Sequence, residues 1–279
     1  PDDIDYCISL DMDELLAPGW RDEMEKVKPG VTRIRYDYTW NFNEDGTPGL
    51  TFGGDKIHAR HGYRWKHPVH ECLYTDRIQE KEQWIKLGLW HKADNTKSRG
   101  QYLPLLKLSV EEDPLNDRNA FYYARELFFH GKYGEANKAF KHHLELPTAT
   151  WKAERAAGMR YISKTESNLD KKMLWLEKAI KECPDRREAY VELAQLYYDN
   201  GNFTECLTLC KKALNITERP MEYLNEAFAW GSIPYDLAAI CSYYTGNKEA
   251  ALKYGEKAVE LSPTDERLKG NLVFYKGDK

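Results

Sequence analysis

The chain opens on a short alternating run. Residues 4–10, Ile4-Asp5-Tyr6-Cys7-Ile8-Ser9-Leu10, put an apolar side chain at every second position, the pattern of a strand. The acidic stretch Asp11-Met12-Asp13-Glu14 follows, then Leu15-Leu16-Ala17. Pro18 stands where the first turn of a helix carrying Trp20, Met24 and Val27 begins. Residues 32–41 alternate again, with Ile34, Tyr36, Tyr38 and Trp40 set against Arg33, Arg35, Asp37 and Thr39. Asn43-Glu44-Asp45-Gly46 makes a turn and residues 50–60 return, which predicts a β-hairpin. Gly53-Gly54 predicts a bulge or bend within it. Two more short strands are expected at residues 69–74 and 83–90. Residues 1–94 therefore read as a mixed α/β part.

From about residue 95 the pattern turns helical. Residues 98–112 are amphipathic through Tyr102, Leu105, Leu106, Ser109 and Val110, and residues 95–115 read as a linking helix. A period then emerges. Gly131, Gly201 and Gly246 each stand five residues before a small side chain, Ala136, Cys206 and Ala251, and twelve before His143, Ala213 and Ala258. His143 is the one large occupant of its position. A degenerate copy has Leu176, Ala179 and Pro184 in place, with Ser167 where glycine would be. This spacing resembles tetratricopeptide helix pairs, whose period is about 34 residues. Four repeats are expected over residues 116–279, with about eleven extra residues near 218–232 before the last. Residues 265–275 would cap the stack.

Composition narrows the class. A chain of 279 residues with 42% hydrophobic content can bury two cores, and a formal net charge of −4 argues against a general nucleic-acid or anionic-membrane binder. No apolar run approaches a membrane span, and no signal peptide opens the sequence. The six cysteines form no C-x-x-C pair and read as reduced thiols, so a cytoplasmic location is expected. Cys206 and Cys210 lie four apart and read as small core residues.

Asp11 and Asp13, one residue apart where a strand runs into a loop, can share a hard divalent cation, Mg²⁺ or Mn²⁺. Ligands in open α/β sheets bind at the carboxyl ends of strands, where this cluster is expected. The strand with Asp11-Met12-Asp13 resembles the D-x-D strand of family 2 type glycosyltransferases of the GT-A fold, especially members with tetratricopeptide repeats behind the transferase domain. Trp65-Lys66-His67-Pro68-Val69-His70-Glu71 is similar to that subfamily's Trp-x-x-x-Val-His-Glu segment, as are Leu89-Trp90-His91 and Lys97-Ser98-Arg99. In that family a nucleotide-binding βαβ region precedes the D-x-D strand. Here only Pro1, Asp2 and Asp3 do, so the resemblance implies the C-terminal half of a transferase domain, from a chain truncated at its N-terminus, completed by another polypeptide or decayed to another role.

The resemblance implies a site. Asp11, Asp13 and His91 would hold the metal, Glu71 would be the base with His70 orienting it or replacing it, and Lys97 and Arg99 would face the donor diphosphate. Trp65 would line a sugar acceptor groove, although tryptophans in this part also suit core packing. The histidines His58, His61, His67 and His70 match no zinc spacing. His142-His143-Leu144-Glu145 lacks the H-E-x-x-H arrangement and reads as packing and surface.

The expected function is a metal-dependent, inverting glycosyltransferase, using a nucleotide-sugar donor and a carbohydrate, peptide or protein acceptor positioned by the repeats. A different class competes with it: a non-catalytic scaffold whose repeats bind a protein partner or a second copy, with the front part a remnant. Paired carboxylates such as Glu14 and Glu71 would also suit glycoside hydrolysis, but nothing else in the chain supports it.

Overall fold

The structure is a computed structural model that describes residues 5–43, 45–93 and 100–277. The chain divides into two compact units: residues 1–112 with Met221–Tyr223, and residues 113–220 with 224–279.

The first unit is built on a five-stranded sheet. Its strands are β1 (Tyr6–Ile8), β2 (Glu14–Leu16), β3 (Arg33–Thr39), β4 (Thr51–Ala59) and β7 (Glu82–His91), in the order β1-β4-β3-β7-β2. Helix α1 (Trp20–Met24) follows β2, and a separate two-stranded ladder joins β5 (Arg64–Lys66) to β6 (Cys72–Tyr74). Only β3 and β7 run parallel; β1 with β4, β4 with β3 and β7 with β2 are antiparallel. The strand expected over residues 4–10 is thus a short antiparallel edge strand. It has one hydrogen-bonded neighbour, β4.

Alternation along β3 is what buries the sheet's core. Ile34, Tyr36 and Tyr38 are sealed against Ile57, Ile85, Leu87 and Leu89, with Leu16, Trp20, Met24 and Val27 packed around them. Each such side chain contributes about 1.5–3 kcal/mol on burial. Trp40, next in the alternation, departs from it and stays exposed beyond the last rung. The bulge falls just past the glycine pair, which itself stays in register opposite Asp37 and Tyr36. The register slips between Ile34 and Tyr36, and the Tyr36 ring lies over Gly54 so closely that a Cβ there would meet it at 2.2 Å.

Helix α2 (Tyr102–Glu112) closes the first unit. The second unit is a succession of helix pairs: α3 (Asp117–Phe129) with α4 (Tyr133–Glu145), α5 (Lys152–Thr165) with α6 (Leu169–Glu182), α7 (Arg187–Asp199) with α8 (Phe203–Asn215), and α10 (Ile233–Tyr244) with α11 (Lys248–Leu261). A one-turn helix α9 (Ala227–Trp230) lies in the insertion before the last pair, and α12 (Glu266–Lys276) follows it. Asn116, Asn168, Asn247 and Asp265 cap α3, α6, α11 and α12 by accepting from backbone N–H groups of the first turn. Gly131, Gly201 and Gly246 leave the first helix of their pairs with φ of 71°, 76° and 84°, a conformation that glycine adopts at no steric cost. Ala136, Cys206 and Ala251 are completely buried where the paired helices meet. The extra residues fall where the sequence placed them, between α8 and α10.

Candidate functional site

The acidic segment joins the two edges of the sheet. It leaves β1 at one edge and re-enters as β2 at the other, closed by a turn in which Glu14 N donates to Asp11 O at 3.0 Å. Glu14 organises it. Its side chain is wholly buried and accepts from Tyr38 Oη at 2.7 Å and from Lys56 Nζ at 2.8 Å, while its other oxygen accepts from Asp11 N at 2.8 Å. Lys56 also reaches Asp11 Oδ2 at 2.6 Å. Burial alone would lower the Lys56 pKa, but its bonds to Asp11 and Glu14 raise it, so the ammonium is held charged. Burial, reinforced by the bond to Glu14, pushes the Tyr38 hydroxyl far above its ordinary range.

Asp13 and His91 come together beside this knot, with His91 Nε2 3.7 Å from Asp13 Oδ2. The ring stacks on Trp40 at 4.3 Å, and its Nδ1 donates to Trp40 O at 3.0 Å. With Nδ1–H donated to a carbonyl, Nε2 is the ring atom that faces the Asp13 carboxylate, a pair of the kind that can share a divalent cation. Asp11 does not join them, being tied to Lys56, and Met12 is fully exposed. Of the three expected metal ligands the fold unites Asp13 and His91 alone. Among the described residues, the one trio of metal-ligating side chains within mutual reach is Asp117, His143 and Glu154.

The expected base lies elsewhere. His70 and Glu71 sit in the loop joining β5 to β6, where His67 and His70 take left-handed backbone with φ of 76° and 51°, uncommon for a residue with a side chain. The His70 ring lies 5.6 Å from Tyr102, Glu71 is exposed, and the exposed Trp65 meets the edge of His58. This ladder attaches at the start of β3, where Arg33 Nη2 donates to Leu73 O at 3.0 Å. Asp13 and His91 lie past the other end, about 20 Å away at about 3.3 Å per residue. Glu71, His70 and Trp65 therefore do not share a site with the Asp13–His91 pair. Lys97 and Arg99 lie outside the described residues.

The second unit holds an ion-pair network that sequence reasoning missed. Arg160 on α5 makes a two-pronged contact with Glu192 on α7 at 2.7 and 2.8 Å, Lys164 adds a 2.9 Å contact, and Glu226 of the insertion approaches Arg160 at 3.5 Å. Glu188 accepts from the backbone N–H of Glu226 and from Trp230 Nε1, both at 3.2 Å, and Arg186 donates to Asn225. The extra residues are thereby pinned across α5 and α7. Charged residues in helical stretches normally read as solvated, which is why no pattern flagged them.

The same unit carries a cleft of about 360 Å³ between α6, α7 and α8. Ile180, Tyr190, Leu193, Tyr197 and Leu209 make it apolar, while Thr204, Thr208 and Lys212 stand exposed at its rim. Its size falls at the lower end of small-ligand and side-chain pockets.

A family model described as the tetratricopeptide repeat matches residues 188–220, which cover α7, its turn and α8. Those residues are a tetratricopeptide repeat. No curated protein matches the chain. Among solved structures the chain is similar to Pseudomonas aeruginosa pilF (13% identity, 63% of this chain and 72% of that one, TM-score 0.49). It is also similar to a thermophilic TPR protein of Thermus thermophilus (16%, 62% and 88%, 0.41) and to a tetratricopeptide repeat protein of Parabacteroides merdae (18%, 62% and 63%, 0.42). The family model that matches is the tetratricopeptide repeat and not a glycosyltransferase, so the expected transferase is corrected to a chain that carries this repeat, with glycosyltransferase activity unsupported. No helix among the described residues is long and apolar enough to cross a membrane.

Two outcomes are expected from the charged groups. Glu14→Ala, which strips Lys56 and Tyr38 of a buried acceptor, destabilises the sheet unit by about 3 kcal/mol, while Asp11→Ala at an exposed position costs under about 1 kcal/mol. Urea unfolding followed by tryptophan fluorescence separates the two. In the repeats, burial would raise the Glu192 pKa, but Arg160 and Lys164 outweigh it and the net shift is downward. The stability this gives is present above the ordinary carboxylate value of 4.5 and is lost as pH falls through the depressed folded value. Arg160→Met should cost about 3 kcal/mol at neutral pH by stranding the largely buried Glu192 carboxylate, and should flatten that acid limb in thermal melts.

Proposed function

We propose that this chain is a non-catalytic protein-binding module whose helix pairs dock a peptide or protein segment. The observation that carries the reading is the cleft between α6, α7 and α8, since α7 and α8 are the repeat that the family model matches. Stacked helix pairs present extended surfaces suited to peptides. An apolar floor with a polar rim suits one anchoring apolar side chain from a bound segment, flanked by backbone contacts to the threonines. The residues lining the cleft come from α6, α7 and α8, and none belongs to the insertion.

Selection of a random peptide display library on the full chain tests this. Peptides sharing an apolar anchor should emerge and lose at least about tenfold in affinity on Thr208→Trp, which fills the cleft from an exposed position. Failure to enrich any peptide, or enriched peptides indifferent to Thr208→Trp, would argue against it.

A second reading concerns the first unit. The opposed Nε2 and Oδ2 of His91 and Asp13 favour uptake of a divalent cation, Mn²⁺ or Mg²⁺, there. Mn²⁺ should then raise the unfolding temperature of the full chain and lose that effect in Asp13→Ala; an equal shift in both proteins rules the site out.

A further inference from the structure

Asp117 in the first turn of α3, His143 in the last turn of α4 and Glu154 in the first turn of α5 come from three successive helices. Their ligand atoms all lie within 4.8 Å of one another. His143 Nε2 is 3.2 Å from Glu154 Oε1, with the two side chains 0% and 4% exposed. Asp117 is only half-buried, which leaves a way in from solvent.

Two further observations set this cluster apart from ordinary packing. The other repeats place Ala179, Ala213 and Ala258 at the position of His143, each buried to 1% or less, so the stack itself asks only for a methyl group there. And Nε2, the nitrogen that faces Glu154, is the one through which the buried imidazole engages a polar neighbour, since Nδ1 has no hydrogen-bond partner among the described residues. Gly158 of α5 faces it, where a Cβ would stand 3.6 Å from Nδ1.

We propose that Asp117, His143 and Glu154 bind one divalent transition cation of the Zn²⁺ class, which staples the first helix pair to the second. An imidazole nitrogen with two carboxylate oxygens suits zinc better than magnesium or calcium, and three protein ligands leave one position for water. Tetrahedral zinc bonds of about 2.0–2.2 Å set ligand atoms about 3.3–3.6 Å apart, close to the 3.2 Å of the His143–Glu154 pair and within reach of side-chain rotation for Asp117. Bound only by the folded stack, the cation stabilises it by mass action.

The test uses the full chain, stripped by chelator and carrying Asp13→Asn so that the sheet does not compete for metal. Titration calorimetry with Zn²⁺ should give one site, and saturation should raise the unfolding temperature by about 5 °C. His143→Ala installs the residue of the other repeats, so circular dichroism should keep its helical signal while zinc uptake falls at least about a hundredfold. Asp117→Asn, at a half-exposed position, should weaken uptake at least about tenfold, and it decides the matter should His143→Ala fail to fold. Absence of zinc uptake in the Asp13→Asn chain, or uptake unchanged by Asp117→Asn, overturns the proposal and leaves a buried His143–Glu154 hydrogen bond.

Discussion

The second unit depends on how closely two helices of a pair can approach, because the whole stack is propagated by that spacing. Ala136, Cys206, Ala251, Ala213 and Ala258 are the side chains that permit it, all buried to 1% or less. A larger side chain at such a point forces the helices apart and misaligns the next pair. His143 shows the cost of an exception: the imidazole fits because Gly158 faces it and Glu154 supplies a partner. Glycine turns at residues 131, 201 and 246 then reverse the chain within three residues, fixing the second helix against the first.

Where the period is broken, the structure compensates with charge. The insertion before the last pair buries Leu224 and Ala229, with Phe228 and Trp230 packed against the core, and it is held in addition by Arg160, Glu188 and Arg186. Such groups are stable in a helix stack only while every partner is present. The same logic governs the first unit, where one buried carboxylate, Glu14, joins the phenol of Tyr38 to the ammonium of Lys56 and so sets the path of the loop that carries Asp11 and Asp13.

The repeats were legible in the sequence because their signal is cumulative: glycine and small residues recur at fixed offsets, and each copy confirms the others. Alternation likewise exposed β3 and β4. The topology of the sheet was not legible, since Tyr6–Ile8 has the same pattern whether its neighbours are parallel or antiparallel, and Glu14–Leu16 is too short to announce itself as a strand. The residues that the resemblance implies as one site are spread over the sheet for a related reason. Asp11 and Asp13 are close in sequence, yet Lys56 draws Asp11 away, and the segment holding His70 and Glu71 attaches at the far end of the sheet. A linear motif fixes spacing along the chain but not which long-range partner claims each side chain.

The central claim is that the helix pairs bind a polypeptide and that the cleft between α6, α7 and α8 receives it. Hydrogen–deuterium exchange of the full chain, with and without a saturating peptide ligand, tests this directly. The account predicts new protection concentrated in residues 177–212, with the sheet unchanged. Protection confined to the sheet, or to the last helix pair, would contradict it.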